Sequence, residues 1–251
     1  MFFIVWGTKP VFKKLGFVAD FCPICRGAQV FQLRQVSMAR HLYYISLGGG
    51  RLVGHQRVCQ QCGTAFDAKA EIYASVSPEP LPLGILTTRT FPNLDKAYEQ
   101  RLALEQRIRE QPGSLSVTDR KALIRAPFLM LSPRVEKRYA STHIDRDTGL
   151  WMLAVLAALF VVPAVVRRFS PDNTDAAVLA VLVGGIVVVG VQIARSNSRF
   201  LLREIYPLLA QNLKPLSPNE SEISAVLAEL KGLGHKLGGK AKLPDLMAAL
   251  G

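Results

Sequence analysis

Two uncharged runs constrain the fold more than anything else in this 251-residue chain. Residues 150–166 read LWMLAVLAALFVVPAVV and residues 176–194 read AAVLAVLVGGIVVVGVQIA. A polar loop, RRFSPDNTD, separates them. At a helical rise of about 1.5 Å per residue they reach roughly 26 and 28 Å, close to the ~30 Å hydrocarbon thickness of a bilayer. The reading is a transmembrane helical hairpin. The alternative is a helix pair buried in a soluble core, but soluble core helices seldom carry two such runs side by side.

The flanking charge orients the hairpin. Arg134, Lys137, Arg138 and Arg146 precede it, and Arg195, Arg199, Arg203 and Lys214 follow it. The loop holds Arg167 and Arg168, offset by Asp172 and Asp175. Basic flanks stay on the cytoplasmic side, which places both termini there in a multi-pass protein of the inner (cytoplasmic) membrane. Neither span contains an ionisable residue, which argues against ion or proton conduction. Ala154 and Ala158, and likewise Ala176, Ala180 and Gly184, form small-residue faces for packing the hairpin or a homo-oligomer. Pro163 is expected to kink the first helix. Arg195, Arg199 and Arg203, four apart, would line one membrane-flanking stripe at the lipid headgroups if the second helix continues, with Pro207 limiting it.

The cysteines fix a second feature. All four lie in the first quarter of the chain, as Cys22-Pro-Ile-Cys25-Arg-Gly27 and Cys59-Gln-Gln-Cys62-Gly63. Each pair puts two thiolates on a tight turn, with a nearby glycine to take positive φ. Four thiolates make a closed tetrahedral site, a structural Zn2+ with no open position for chemistry. A rubredoxin-like iron would use the same set. A thioredoxin-type pair would need a βαβ context, which is absent. His41 and His55 are read as strand histidines. Strands are expected over 28–36 and 40–47, a turn at Gly48-Gly49-Gly50, and a return over 51–58. Residues 4–6 and 11–18 would add a hairpin around residues 7–10.

The same block is basic. Lys9, Lys13, Lys14, Arg26, Arg34, Arg40, Arg51, Arg57 and Lys69 stand against Asp20 and Asp67, in a chain of net charge +12. Such a surface serves nucleic acid, anionic lipid or an acidic partner. The opening MFFIVWGTKPVFKK lacks the order of a signal peptide, since its basic residues follow its apolar run.

The stretches FFIVWGTKPVFKKLGFVADFCPICR and HLYYISLGGGRLVGHQRVCQQCGTAF resemble the N-terminal zinc-ribbon module of a family of uncharacterised bacterial membrane-associated proteins. The matching residues are Trp6, Gly7, Thr8, Lys9, Cys22, Pro23, Cys25, His41, Tyr43, Leu47, Gly48, Cys59, Cys62 and Gly63, within roughly the first 70 positions. Ser46 stands where the family often has proline. The resemblance implies a structural zinc on Cys22, Cys25, Cys59 and Cys62, and no activity.

The remainder reads as connection and tail. Alternate prolines over 78–92 suggest an extended linker. A helical spacer follows over 93–149: a helix over 94–111 capped by Asn93, a second from Val117 broken near Pro127, and a third over 133–140. His143, Asp145 and Asp147 could suggest a metal or acid–base cluster, but they sit in a polar stretch leading into the first span. The segment 195–251 reads as a small helical cytoplasmic tail, with Ser217-Pro-Asn-Glu220 as a capping box, a helix burying Ile223, Val226, Leu227 and Leu230, a basic turn HKLGGKAK and a last helix over 244–250.

The expected architecture is therefore multi-part: a small β-rich zinc ribbon over 1–77, a Pro-rich linker over 78–92, a helical spacer over 93–149, a transmembrane hairpin over 150–194, and an α-helical tail over 195–251. No nucleophile–base pair, phosphate loop or open metal site points to an enzyme. The expected role is an adaptor or scaffold contacting the lipid bilayer and a protein partner. A membrane-tethered nucleic-acid-binding ribbon, stacking bases on Phe31, Tyr43 and Tyr44, is the alternative.

Overall fold

Three long runs rich in β-branched, aromatic and other apolar residues build an antiparallel meander, with the C-x-x-C pairs at its first and third turns. The computed structural model describes residues 6–43, 45–141 and 144–251. β1 (Trp6–Cys22), β2 (Gly27–Leu42), β3 (Ile45–Cys59) and β4 (Ala65–Ala68) pair in sequence order. The first three strands run 17, 16 and 15 residues, well beyond the usual five or six.

Here the strand expectations change. β2 runs unbroken through 37–39, and the hairpin ends pair Leu42 with Ile45. Gly48-Gly49-Gly50 is not the turn. It lies inside β3 as a bulge, between the Arg40–Leu47 and Met38–Arg51 pairs. Gly50 has φ +71°, and a Cβ there would sit 2.5 Å from the Met38 carbonyl oxygen, so only glycine fits. Residues 7–10 form no hairpin either, because they pair with 38–41 in β2. The segment 4–6 lies outside the described residues apart from Trp6.

The Pro-rich linker is also corrected. α1 (Leu83–Thr90) forms within it, Leu86 and Thr90 are buried, and the Thr90 hydroxyl accepts the Ala19 N–H at 2.9 Å. Phe91 lies edge-on to Tyr73 and Tyr98, and Tyr98 stacks on Phe21. That aromatic burial outweighs the extended preference of the prolines. The expected 94–111 helix breaks at Tyr98 into α2 (Leu94–Ala97) and α3 (Glu99–Glu110). The chain divides into two compact units, one of residues up to Pro127 with Gln211–Pro218, the other Phe128–Ala210 with Asn219–Gly251. The helical spacer is thus shared between units, with α3 in the ribbon's own unit, and the tail is divided too.

α4 (Val117–Tyr139) is one continuous helix through Pro127 and Pro133, where two breaks were expected. Ile124, Phe128, Leu131 and Val135 form a fully buried stripe at helical spacing. At about 1.5–3 kcal/mol each, their burial exceeds the ~3 kcal/mol cost of each interior proline.

α5 (Arg146–Phe169) and α6 (Thr174–Phe200) form the hairpin. Both helices are long and apolar enough to cross a membrane, and their apolar windows are 0% and 6% buried within the chain, unlike the core helices of a soluble domain. Pro163 lies inside an unbroken α5. The close approach is at Gly185, where a Cβ would stand 2.3 Å from Val155 Cγ1. Ala176, Ala180 and Gly184 are exposed, so that small-residue face is not the hairpin seam. Helix continues past Phe200 through a π-helical segment, Leu201–Ile205, into α7 (Tyr206–Leu213), so Pro207 does not end it. A widened turn beside proline accommodates the missing N–H.

Beyond it, α8 (Glu220–Gly232) buries Ile223, Val226, Leu227 and Leu230 as expected. Its capping box is Asn219 with Glu222, two residues past the expected Ser217 and Glu220, because Ser217 takes φ +42°. The basic turn is a short helix, α9 (Lys236–Lys240), and α10 (Leu243–Leu250) closes the chain.

Candidate metal centre

The β1–β2 and β3–β4 turns bring the two C-x-x-C pairs face to face. All four sulfurs lie within 4.8 Å of one another. Cys22 Sγ is 3.7 Å from Cys62 Sγ, and Cys25 Sγ is 3.9 Å from Cys59 Sγ. A tetrahedron of thiolates about 2.3 Å from a metal has edges of about 3.8 Å, so the donor set fits an ion. A disulfide needs about 2.05 Å. Cys22, Cys59 and Cys62 are buried and Cys25 is half-buried. Four cysteines at metal-binding distance in a β-rich N-terminal region fit a zinc ribbon. Neither His41 nor His55 joins the cluster.

Local backbone shapes the turns. The Cys25 N–H points at Cys22 Sγ at 3.4 Å. The Gly63 N–H donates to the Cys59 carbonyl, and Gly63 takes φ +66° as expected. In the first turn the positive φ, 57°, falls on Arg26 and not on Gly27. The four crowded thiols differ in acidity. S–H donation from Cys22, then from Cys25 and Cys59, holds Cys62 far below its ordinary range. Cys59 is pushed down to about 7, first by Cys22 and then by Cys25. Cys22 is raised, first by its contact with Cys25.

Arg26 explains its own backbone. The sequence places it on the basic surface, but it is 5% exposed. Its Nε donates to Glu105 Oε2 at 2.6 Å and its Nη1 to the Asn212 carbonyl at 2.8 Å. The Asn212 side-chain amide donates to the Pro23 and Ile24 carbonyls at 2.8 and 2.9 Å. The first cysteine turn is therefore strapped by residues 79 and 186 positions away from Arg26. Sequence reading missed Glu105 and Asn212, because nothing local marks them. Arg57 is likewise engaged, with its guanidinium on the fully buried Asp20, which also accepts from Tyr73 Oη. Of the other basic-surface residues, Lys13, Lys14, Arg40 and Arg51 are exposed, while Lys9 and Arg34 are half-buried.

Two further expectations change. Phe31 is fully buried against Phe66, so it cannot stack a base. Tyr43 is exposed, and Tyr44 lies outside the described residues. The membrane-flanking stripe is carboxylate-paired in part, with Arg199 on Asp145 at 2.7 Å and Arg203 on Asp147 at 2.9 Å, while Arg195 is exposed. Asp145 also caps α5 by accepting the Thr148 N–H, and Arg199 holds its carboxyl well below the usual range. Asp145 and Asp147 thus tie the base of the hairpin. His143 lies outside the described residues.

No family model, characterised protein or solved structure matches the chain.

Proposed function

We propose that this is a membrane-anchored zinc-ribbon protein, a non-enzymatic adaptor with a structural zinc. The four-thiolate cluster carries the reading, because a closed tetrahedral set of four sulfurs, three of them on buried cysteines, is the donor chemistry of structural zinc. The resemblance of the first 70 residues to the ribbon of bacterial membrane-associated proteins supports zinc over iron. The two membrane-length helices supply the anchor. The flanking charges support a multi-pass arrangement in the inner membrane with both termini in the cytoplasm, where thiols stay reduced.

The full chain extracted from membranes is expected to hold about one zinc and to lose it on Cys59→Ser. Iron in the purified protein, or full metal content in that variant, would overturn the site. A reporter fused after Gly251 should be active only in the cytoplasm.

A further inference from the structure

The three long strands carry a tip far from the metal. Among the described residues its last paired row is Trp6, Leu42 and Ile45, joined by the β1–β2 and β2–β3 registers. Trp6 is 82% and Ile45 71% exposed, and Leu42 and Met38 on the same face are exposed too. Water-exposed apolar side chains clustered at the end of an arm mark a contact surface.

Charge says what the surface meets. Between Trp6 and Ala19, and between Gly27 and Val58, there is no acidic residue. Arg40 lies two residues behind Leu42, and Arg51 lies in the row of Met38, four behind. At about 3.3 Å per residue they stand roughly 7 and 13 Å behind the end row. Interfacial segments bury apolar groups about 5–10 Å into the boundary between headgroups and acyl chains. With Trp6, Leu42 and Ile45 at that depth, both guanidiniums fall among lipid phosphates. Tryptophan with aliphatic neighbours and a basic collar is the chemistry of a membrane interface. Trp6 and Tyr43 are exposed rings here, but Leu42, Ile45 and Met38 beside them are aliphatic and favour hydrocarbon over stacked bases.

We propose that the tip of the three-stranded arm inserts into an anionic bilayer surface, with Trp6, Leu42 and Ile45 as the wedge and Arg40 and Arg51 as the collar. This rests on the membrane-anchored reading above and names the partner of its basic face. Lys13 and Lys14 lie too far back, more than 20 Å at the same rise, to take part.

The test uses the full chain with Trp151→Phe, which leaves Trp6 as its one tryptophan. It is reconstituted in vesicles of phosphatidylcholine alone or mixed equally with phosphatidylglycerol, each with brominated acyl chains. Trp6 emission should be blue-shifted and quenched in the anionic vesicles. The quenching should fall as salt rises from about 0.1 to about 1 M and the Debye length shrinks from ~10 to ~3 Å. Arg40→Glu with Arg51→Glu should abolish it, and Lys13→Glu with Lys14→Glu should not. Leu42→Glu with Ile45→Glu should abolish it with zinc content unchanged. Trp6 open to aqueous acrylamide and indifferent to brominated lipid overturns the proposal. So does protection without lipid quenching, which means a second copy or another protein covers the tip. So does quenching by an added single-stranded oligonucleotide alone. Chains that keep zinc and survive an alkaline carbonate wash but fail the lipid test refute the tip alone. Chains that wash off refute the anchored reading, and the tip proposal with it.

Discussion

Glu105→Ala tests whether the metal centre is held from outside its own loop. Glu105 and Arg26 have side chains 3% and 6% exposed and meet at 2.6 Å. Arg101 also approaches Glu105 Oε1 at 2.8 Å. Removing the carboxylate leaves the Arg26 guanidinium buried beside Asn212 with its charge uncompensated. Breaking one side of such a pair costs about 3–5 kcal/mol. Arg26 directly follows Cys25 and holds the positive φ that turns the first cysteine loop, so part of that cost reaches the metal. Outer-shell losses typically weaken binding ~10–100-fold, or about 1.4–2.7 kcal/mol. Competition with a chromogenic zinc chelator should show a weakening in this range, and urea should unfold the ribbon at lower concentration. Arg26→Met with Glu105→Leu removes both charges and keeps apolar volume, and it should recover most of the stability. If Glu105→Ala binds zinc as tightly as the parent and unfolds at the same urea concentration, the strap does not support the site.

Three other outcomes follow from the same physics. Burial pushes the Tyr73 hydroxyl up to about 12, against the opposing pull of Arg57. A folded pKa raised above the unfolded value of about 10 contributes stability that is whole below pH 10 and lost as pH climbs toward 12, about 2–3 kcal/mol in all; urea midpoints across that window should fall more steeply in the parent than in Tyr73→Phe. Gly185→Leu drives a side chain into Val155 and should destabilise the hairpin by about 1–3 kcal/mol, whereas Gly184→Leu, in open space, should not; protease resistance of the two variants in vesicles compares them. Asp145→Asn keeps an N-cap oxygen but removes the charge that pairs with Arg199 and faces the α5 N-terminus, so hydrogen exchange at the start of α5 should rise.

What could be read from the chain alone was whatever depends on neighbours in sequence. The apolar runs became α5 and α6 because helix length and apolarity are local. The C-x-x-C pairs became the metal cluster because each turn is four residues long and a tetrahedron needs two of them. The apolar spacing of α8 buried the four side chains it implied. The glycine triplet misled because a strand register joins residues without regard to local turn preference, and the β2–β3 pairing turned those glycines into a bulge. Pro127 and Pro133 failed to stop α4 because a buried apolar stripe outweighed them.

The tertiary structure alone decided which charges are surface and which are buried. Arg26 and Arg40 look alike in the sequence, yet one is sealed between Glu105 and Asn212 and the other stands exposed on the arm. It also decided that the 78–92 linker folds onto the ribbon, through Leu86, Thr90 and Phe91. The physical reason is range. Thiolate spacing and helical apolarity act within a few residues, whereas a buried ion pair forms only after distant segments have excluded water around it.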